Sequence, residues 1–172
     1  DTILVNRGTC HACVVACKRE VAVEGTDITA EYGGPEYETI AANGSLLGIG
    51  NLKHIAEANK RLAQYVLDSI STGAVIAFAM ECYEKGIITD EDTGGIALNW
   101  GDESVALQLI DMIAKREGIG DILAEGVKRA ADRYGNGADH YAMHVKGQEL
   151  PMHEPRGKRS LALAYATSPT GA

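Results

Sequence analysis

The run Ala74-Val75-Ile76-Ala77-Phe78-Ala79-Met80 constrains the fold more than any other feature, because wound as a helix it is apolar on every side rather than along one stripe. A helix without a polar face has to be surrounded, so the rest of the chain must wrap around it. The pattern predicts this helix from about Ser71 to Lys85, with Gly86 just beyond it, the residue that helix C-termini favour. The run is far too short to cross a bilayer, which leaves the centre of a folded core as its place. A chain of 172 residues, 45% of them hydrophobic, can build one such core or two small ones.

Amphipathic periodicity supplies the surrounding helices. Leu52, Ile55, Ala56, Leu62, Ala63 and Val66 recur at helical spacing after Asn51, a good N-cap. A third helix starts at an Asp102 cap, carries Val105, Leu109, Ile110 and Ile113 on one face and ends near Gly118. A fourth runs from Asp121 through Leu123, Val127, Ala130 and Tyr134 to Gly135-Asn136-Gly137, and the last two should form a helical hairpin. Strand signals are confined to residues 1–5, 21–23 and 141–145, each short and none bounded by a hairpin turn. The expected class is all-α, multihelical, with at most a few short strands. The glycine-rich segment from Thr93-Gly94-Gly95 to Trp100-Gly101 is the natural boundary, dividing a helical domain over 1–100 from a hairpin and the start of a further helical domain over 101–172. The start at Asp1 and the turn-like end, Ser168-Pro169-Thr170-Gly171-Ala172, read as a piece of a longer protein.

Chemistry concentrates in Thr9-Cys10-His11-Ala12-Cys13-Val14-Val15-Ala16-Cys17. Three thiolates on a short loop running into a helix can converge on one soft metal centre and leave a place for a distant fourth ligand. An iron–sulfur cluster suits this C-x2-C-x3-C spacing. A structural zinc site completed by His11 or His54, and a disulfide beside a buried thiol, are the alternatives. The formal charge of −8, with only short basic runs at Lys18-Arg19 and Arg156-Lys158-Arg159, argues against nucleic acid or an anionic membrane as partner. Clustered rather than paired cysteines favour a reducing, cytoplasmic setting.

A series of motifs follows in order: Cys10-x2-Cys13-x3-Cys17, Gly34-Pro35-Glu36-Tyr37-Glu38-Thr39, Leu67-Asp68-Ser69-Ile70-Ser71-Thr72-Gly73 and Ala79-Met80-Glu81-Cys82-Tyr83-Glu84-Lys85-Gly86. Gly118-Ile119-Gly120-Asp121-Ile122-Leu123-Ala124-Glu125-Gly126, His144-Val145-Lys146-Gly147-Gln148-Glu149-Leu150-Pro151, Arg156-Gly157 and Ala164-Tyr165-Ala166-Thr167-Ser168 complete it. This order resembles the aldehyde ferredoxin oxidoreductase family over nearly the whole chain. The resemblance implies a helical fragment of an enzyme that oxidises aldehydes to carboxylic acids at a tungsten or molybdenum bis-pterin centre and passes electrons through a [4Fe–4S] cluster to ferredoxin. It implies Cys10, Cys13 and Cys17 as cluster ligands, with the fourth outside this chain, so Cys82 on the apolar helix is a buried structural thiol. A homodimer is a further possibility that the family offers.

Aldehyde oxidation needs a group to handle the proton and a donor to polarise the carbonyl oxygen. The resemblance places the glutamate at Glu36-Tyr37-Glu38, with Glu38 preferred; otherwise these carboxylates simply occupy the first turn of a helix. It places the active-site histidine at His144 and a pterin-contacting lysine at Lys146, on one side of the chain if the segment is extended, with His153 as the rival histidine. The family's pterin pattern D-x-x-G-L-D falls on Ala63-Gln64-Tyr65-Val66-Leu67-Asp68, where only Leu67 and Asp68 remain as cofactor contacts, and Asp68 serves equally as a helix cap. Those losses motivate a second reading, an iron–sulfur electron-transfer or assembly module without pterin chemistry. A third is a zinc-stabilised helical interaction domain.

Overall fold

The structure, a computed structural model, describes residues 2–172. Among the described residues the chain is mostly helical, with four short strands in two separate two-stranded sheets. Strands β1 (Leu4–Gly8) and β2 (Lys18–Val21) pair antiparallel with Leu4 opposite Val21 and Gly8 opposite Lys18, and a bulge between Leu4 and Asn6. Residue 1 of the strand expected over 1–5 lies outside the described residues. Residues 9–17 join the two strands, so the cysteine loop runs into β2 and not, as expected, into a helix.

Beyond β2 the chain doubles back across it. The Val21 N–H donates to the Gly33 carbonyl at 3.0 Å, and a Cβ on Gly34 would lie 2.7 Å from the Arg19 carbonyl oxygen. Only glycine permits that approach, and it delivers the chain to α1 (Tyr37–Asn43). Helix α2 (Leu52–Tyr65) begins where expected, Asn51 Oδ1 accepting from the Lys53 N–H at 3.0 Å. The small N-terminal unit packs on α2 through Val21, Val23 and Ile28 against Ala56. An ion-pair chain reinforces it: Lys60 reaches Asp27 at 2.6 Å and Glu57 at 2.8 Å, and Arg61 joins Glu57 at 2.8 Å and Asp111 at 2.5 Å.

Helix α3 (Ser69–Glu84) is the central element, burying residues on all sides of its second half. It starts two residues before the expected Ser71, because the Asp68 carboxylate accepts from the Ile70 and Ser71 amides at 3.1 and 3.3 Å. α2 and α3 meet at 116° across Val66-Leu67-Asp68, and no single helix among the described residues is long and apolar enough to cross a membrane. Helix α1 crosses α3 at Gly73, where a Cβ would sit 2.5 Å from the Ala42 carbonyl oxygen. Thr39 Oγ1 and Ser69 Oγ are 2.9 Å apart, and Asn43 Nδ2 donates to the Ser69 carbonyl at 3.0 Å.

After the one-turn helix α4 (Asp90–Thr93), helix α5 (Glu103–Lys115) is capped by Asp102, whose Oδ1 accepts from the Ser104 and Val105 amides at 3.0 and 3.1 Å. The fourth helix expected from Asp121 to Tyr134 is two: α6 (Ile119–Leu123) and α7 (Val127–Tyr134). Gly126, at φ 85°, breaks the run, and buried Glu149 accepts from the Val127 N–H, which has no partner within the helix, at 2.7 Å. The hairpin is therefore α5 with α6, closed where a Cβ on Gly120 would fall 2.3 Å from the Met112 carbonyl. Strands β3 (His144–Val145) and β4 (Gln148–Glu149) form a tight hairpin that was not expected, and α8 (Arg159–Thr167) follows. One apolar cluster runs from Leu47 to Ala138, continuous across the glycine-rich 93–101 segment, with Ile76, Met80, Leu109 and Leu123 among its fully buried side chains.

Candidate functional site

The cysteine loop is held by its own backbone and by neighbours that leave the thiols free. The Cys13 N–H donates to the Cys10 carbonyl at 3.1 Å, Thr9 Oγ1 donates to the Cys13 carbonyl at 2.5 Å, and the Arg19 guanidinium donates to the Cys17 carbonyl. Ala12 and Ala16, each preceding a cysteine, take left-handed φ of 56° and 50°. Cys10 and Cys17 are exposed, Cys13 is half-buried, and none of the four cysteines is in a disulfide. Among the described residues no three His, Cys, Asp or Glu side chains gather closely enough for a single metal ion. A mononuclear zinc centre needs four donors within about 2.3 Å of one point, whereas a cluster takes its thiolates on separate irons and tolerates a wider spread. Three soft, accessible thiolates are donors that suit an iron–sulfur cluster.

Neither histidine weighed as a zinc ligand strengthens that alternative. His11 is exposed on the loop, and His54 is buried in α2 with no hydrogen-bond partner on either ring nitrogen; burial lowers its pKa and keeps it neutral. Cys82 is fully buried in α3, and burial pushes its thiol up to about 11, the inert structural thiol that the sequence suggested.

Glu38 lies in the first turn of α1, yet its carboxylate is turned toward a distant segment. Oε2 accepts from the Met152 N–H at 2.8 Å, and Oε1 lies 2.9 Å from His153 Nε2. The neighbouring Tyr37 hydroxyl donates to the Met152 carbonyl at 2.7 Å, and the Tyr37 and His153 rings stack at 5.3 Å and 27°. The structure thus joins Glu38 to His153. Glu36, the other glutamate of the motif, is the α1 N-cap residue but makes no side-chain capping bond.

His144, Lys146, Leu67 and Asp68 are engaged elsewhere. His144 Nδ1 accepts from the Gly147 N–H at 3.2 Å across the β3–β4 turn. Lys146 and Gly147 occupy that turn at φ 55° and 94°, as a two-residue hairpin demands, so His144 and Lys146 do not share one side of an extended strand. The Lys146 ammonium donates to the Ser168 carbonyl, Leu67 packs against the main core, and each Asp68 oxygen serves α3 while keeping a lone pair for a further donor. Toward a pterin, this chain offers that free capacity on Asp68 and little else of the expected set.

His153 also lines a cavity of about 460 Å³ that the sequence did not reveal. Ala77 and Phe78 of α3, Trp100, Tyr141, Met143, Leu150 and Met152 give it an apolar wall; Glu81 and Glu154 stand at its polar edge. The bidentate Arg156 guanidinium holds the Glu154 carboxyl down at about 2.

A mostly helical body wrapped round one apolar helix, carrying a three-cysteine loop and a paired glutamate and histidine beside a cavity, defines the class: a helical domain with a candidate metal-binding loop and a candidate acid–base pair. Residues 1–172 match the aldehyde ferredoxin oxidoreductase family over the part described as its domains 2 and 3, and the chain belongs to that family. It is 45% identical over 169 residues to the tungsten-containing aldehyde ferredoxin oxidoreductase of Pyrococcus furiosus, covering 98% of this chain and 27% of that protein. It is 40% identical over 143 residues to the WOR-like subunit of an aliphatic sulfonate oxidoreductase from the same organism, covering 80% of this chain and 23% of that protein. The active-site complex BamBC of benzoyl-coenzyme A reductase, solved with 1,5-dienoyl-CoA, shares the fold at a TM-score of 0.76 and 30% identity, covering 98% of this chain and 25% of that one. The chain therefore spans about a quarter of the length of these relatives.

Proposed function

We propose that this chain is the cluster-bearing middle portion of a cytoplasmic oxidoreductase that converts aldehydes and water to carboxylic acids, releasing two electrons and two protons per turnover. The observation that carries the reading is the set of three free thiols, two of them exposed, on the 9–17 loop of a chain that belongs to this family. When bound, a tungsten or molybdenum bis-pterin would supply the two-electron oxidation, and a [4Fe–4S] cluster the one-electron outlet to ferredoxin. Cys10, Cys13 and Cys17 would hold the cluster. Asp68 would accept from the pterin with its remaining lone pairs. Lys146, whose ammonium donates to the Ser168 carbonyl in this structure, would supply a cation to the pterin. Glu38, fixed at both oxygens, takes or orients the proton released in the oxidation.

The test is aldehyde-dependent reduction of ferredoxin by the complete protein, purified without oxygen. Ferredoxin reduction that starts on adding aldehyde, with one carboxylate formed per two electrons, supports the reading. The absent Asp and Gly at Ala63 and Val66 favour one rival, an electron-transfer or assembly module. That rival predicts iron and sulfide with no tungsten, molybdenum or pterin and no response to aldehyde.

A further inference from the structure

We propose that Arg7 and Arg19 form a cationic pair that serves the electron-accepting group on the 9–17 loop, favouring its reduced form and so raising its reduction potential. The inference deepens the cluster-bearing reading and rests on it for the identity of that group.

It starts from a register that strand pairing alone does not favour. Arg7 of β1 and Arg19 of β2 stand directly opposite each other in the antiparallel ladder, so their side chains leave the same face. Like charges so placed repel, and neither arginine has an ion-pair partner among the described residues. From residue 2 to residue 19 the sequence holds Arg7, Lys18 and Arg19 and no Asp or Glu, in a chain whose formal charge is −8. The adjoining Glu20 lies on the other face of the ribbon, where Asn6 Nδ2 donates to its Oε2 at 3.1 Å.

Both cations sit beside the cysteines. Arg19 is half-buried just beyond Cys17, and its guanidinium donates to the Cys17 carbonyl, so its charge is held against the loop. Arg7 is exposed and makes no side-chain hydrogen bond among the described residues. From Arg7 to Thr9, where the loop begins, is about 7 Å of strand, inside the Debye length of about 8 Å at physiological salt. A [4Fe–4S] core held by four thiolates is a dianion when oxidised and a trianion once it has taken up one electron, so positive charge nearby stabilises the reduced form more. Guanidinium groups stay charged throughout the working pH range, so the effect does not titrate. Two unpaired cations are a cost to an isolated hairpin, and an anion on the adjoining loop relieves it.

The test is potentiometric EPR of the complete protein with its cofactors, poised with dithionite and mediators, in wild type, Arg7→Gln, Arg7→Glu, Arg19→Gln and Arg19→Lys. Arg133→Gln, at an exposed arginine of α7 outside the N-terminal unit, is the control. At the wild-type midpoint, Arg7→Gln should lower the ratio of reduced to oxidised cluster about threefold, and Arg7→Glu and Arg19→Gln about tenfold, falls of about 30 and about 60 mV at about 59 mV per tenfold for one electron. Arg19→Lys keeps the charge and should restore most of the Arg19 shift, and Arg133→Gln should show none. In about 1 M salt, where the Debye length is about 3 Å, the shift from exposed Arg7 should shrink and that from half-buried Arg19 should remain. Iron and sulfide content equal to wild type separates these shifts from damage to the loop.

Midpoints unmoved in Arg7→Glu and Arg19→Gln would overturn the inference. So would an Arg19→Lys midpoint as low as that of Arg19→Gln, because the bond to the Cys17 carbonyl and not the charge would then be the cause. Unmoved midpoints together with a raised KM for ferredoxin would reassign the pair as a docking surface for an acidic carrier. Absence of iron and sulfide from the wild type would sink the cluster reading and this inference with it, whereas a cluster with unmoved midpoints leaves that reading standing.

Discussion

Val66 is a β-branched residue in a left-handed conformation, φ 57° and ψ 40°, at the C-terminus of α2. Its N–H donates to the Ala63 carbonyl at 3.3 Å and the Leu67 N–H donates to the Leu62 carbonyl at 2.9 Å, the paired bonds of a Schellman ending, whose left-handed position glycine normally fills. The side chain is 90% exposed, so it earns nothing by burial to offset the strain. A left-handed L-residue costs about 1–2 kcal/mol. Glycine removes that cost but adds about 0.4–1 kcal/mol of unfolded-state entropy. Val66→Gly should therefore stabilise the protein by about 0.5–1 kcal/mol, a rise in Tm of about 1–4 °C. Urea and thermal unfolding read it out, with Val66→Ala as the control that keeps the left-handed Cβ and most of the cost. A destabilised glycine variant would refute the reasoning, by showing that residue 66 is not left-handed or that its side chain is packed in the complete protein. Because Val66 stands where the family pattern has glycine, the same variant also asks whether the pattern's glycine serves the backbone or the pterin.

Glu149→Leu should destabilise by about 2 kcal/mol, since the buried carboxylate accepts from both the Val127 N–H at 2.7 Å and Ser71 Oγ at 2.9 Å and an apolar side chain leaves both donors unpaired; chemical denaturation measures it. Gly73→Ala forces a methyl to 2.5 Å from the Ala42 carbonyl, so it should cost about 2–3 kcal/mol and shift α1, lowering Tm and, on the proposed function, aldehyde turnover through Glu38. In metal-free protein at pH 8, iodoacetamide should modify Cys10, Cys13 and Cys17 quickly and Cys82 last. A thiol raised to about 11 is ionised only to about one part in a thousand at that pH and is also sealed in the core. The same raised pKa favours the folded state fully below the ordinary thiol pKa of 9.0, and that contribution is lost as pH rises through about 11, so Cys82→Ala should flatten the alkaline fall in stability.

What was legible in the sequence was what local composition decides. The all-round apolar run had to be central, and α3 is. Asn51 and Asp102 were readable as caps because capping acts over two or three residues. The expected strand at 21–23 lies instead at Lys18–Val21, and the break between α6 and α7 was missed, although Gly126 signalled it. The Lys146-Gly147 turn was missed although a glycine at its second position was the cue, and with it went the assumed alternation of His144 and Lys146. Glu149, which caps α7 from 22 residues away, could not be read from any local pattern. Nor could the meeting of Glu38 with Met152 and His153 across 114 residues or more, since docking of one loop on another is set by the whole core. The candidate residues were therefore largely present in the sequence, but their partnerships were not.

The most direct test of the central claim is low-temperature EPR of the dithionite-reduced complete protein with metal analysis, in wild type and in the single variants Cys10→Ser, Cys13→Ser, Cys17→Ser and Cys82→Ser. The account predicts four irons and four sulfides per chain together with tungsten or molybdenum, a reduced-cluster signal lost or reshaped in each of the first three variants, and a signal untouched in the fourth. Zinc in place of iron, or a cluster signal that survives loss of Cys10, Cys13 and Cys17 alike, would contradict it.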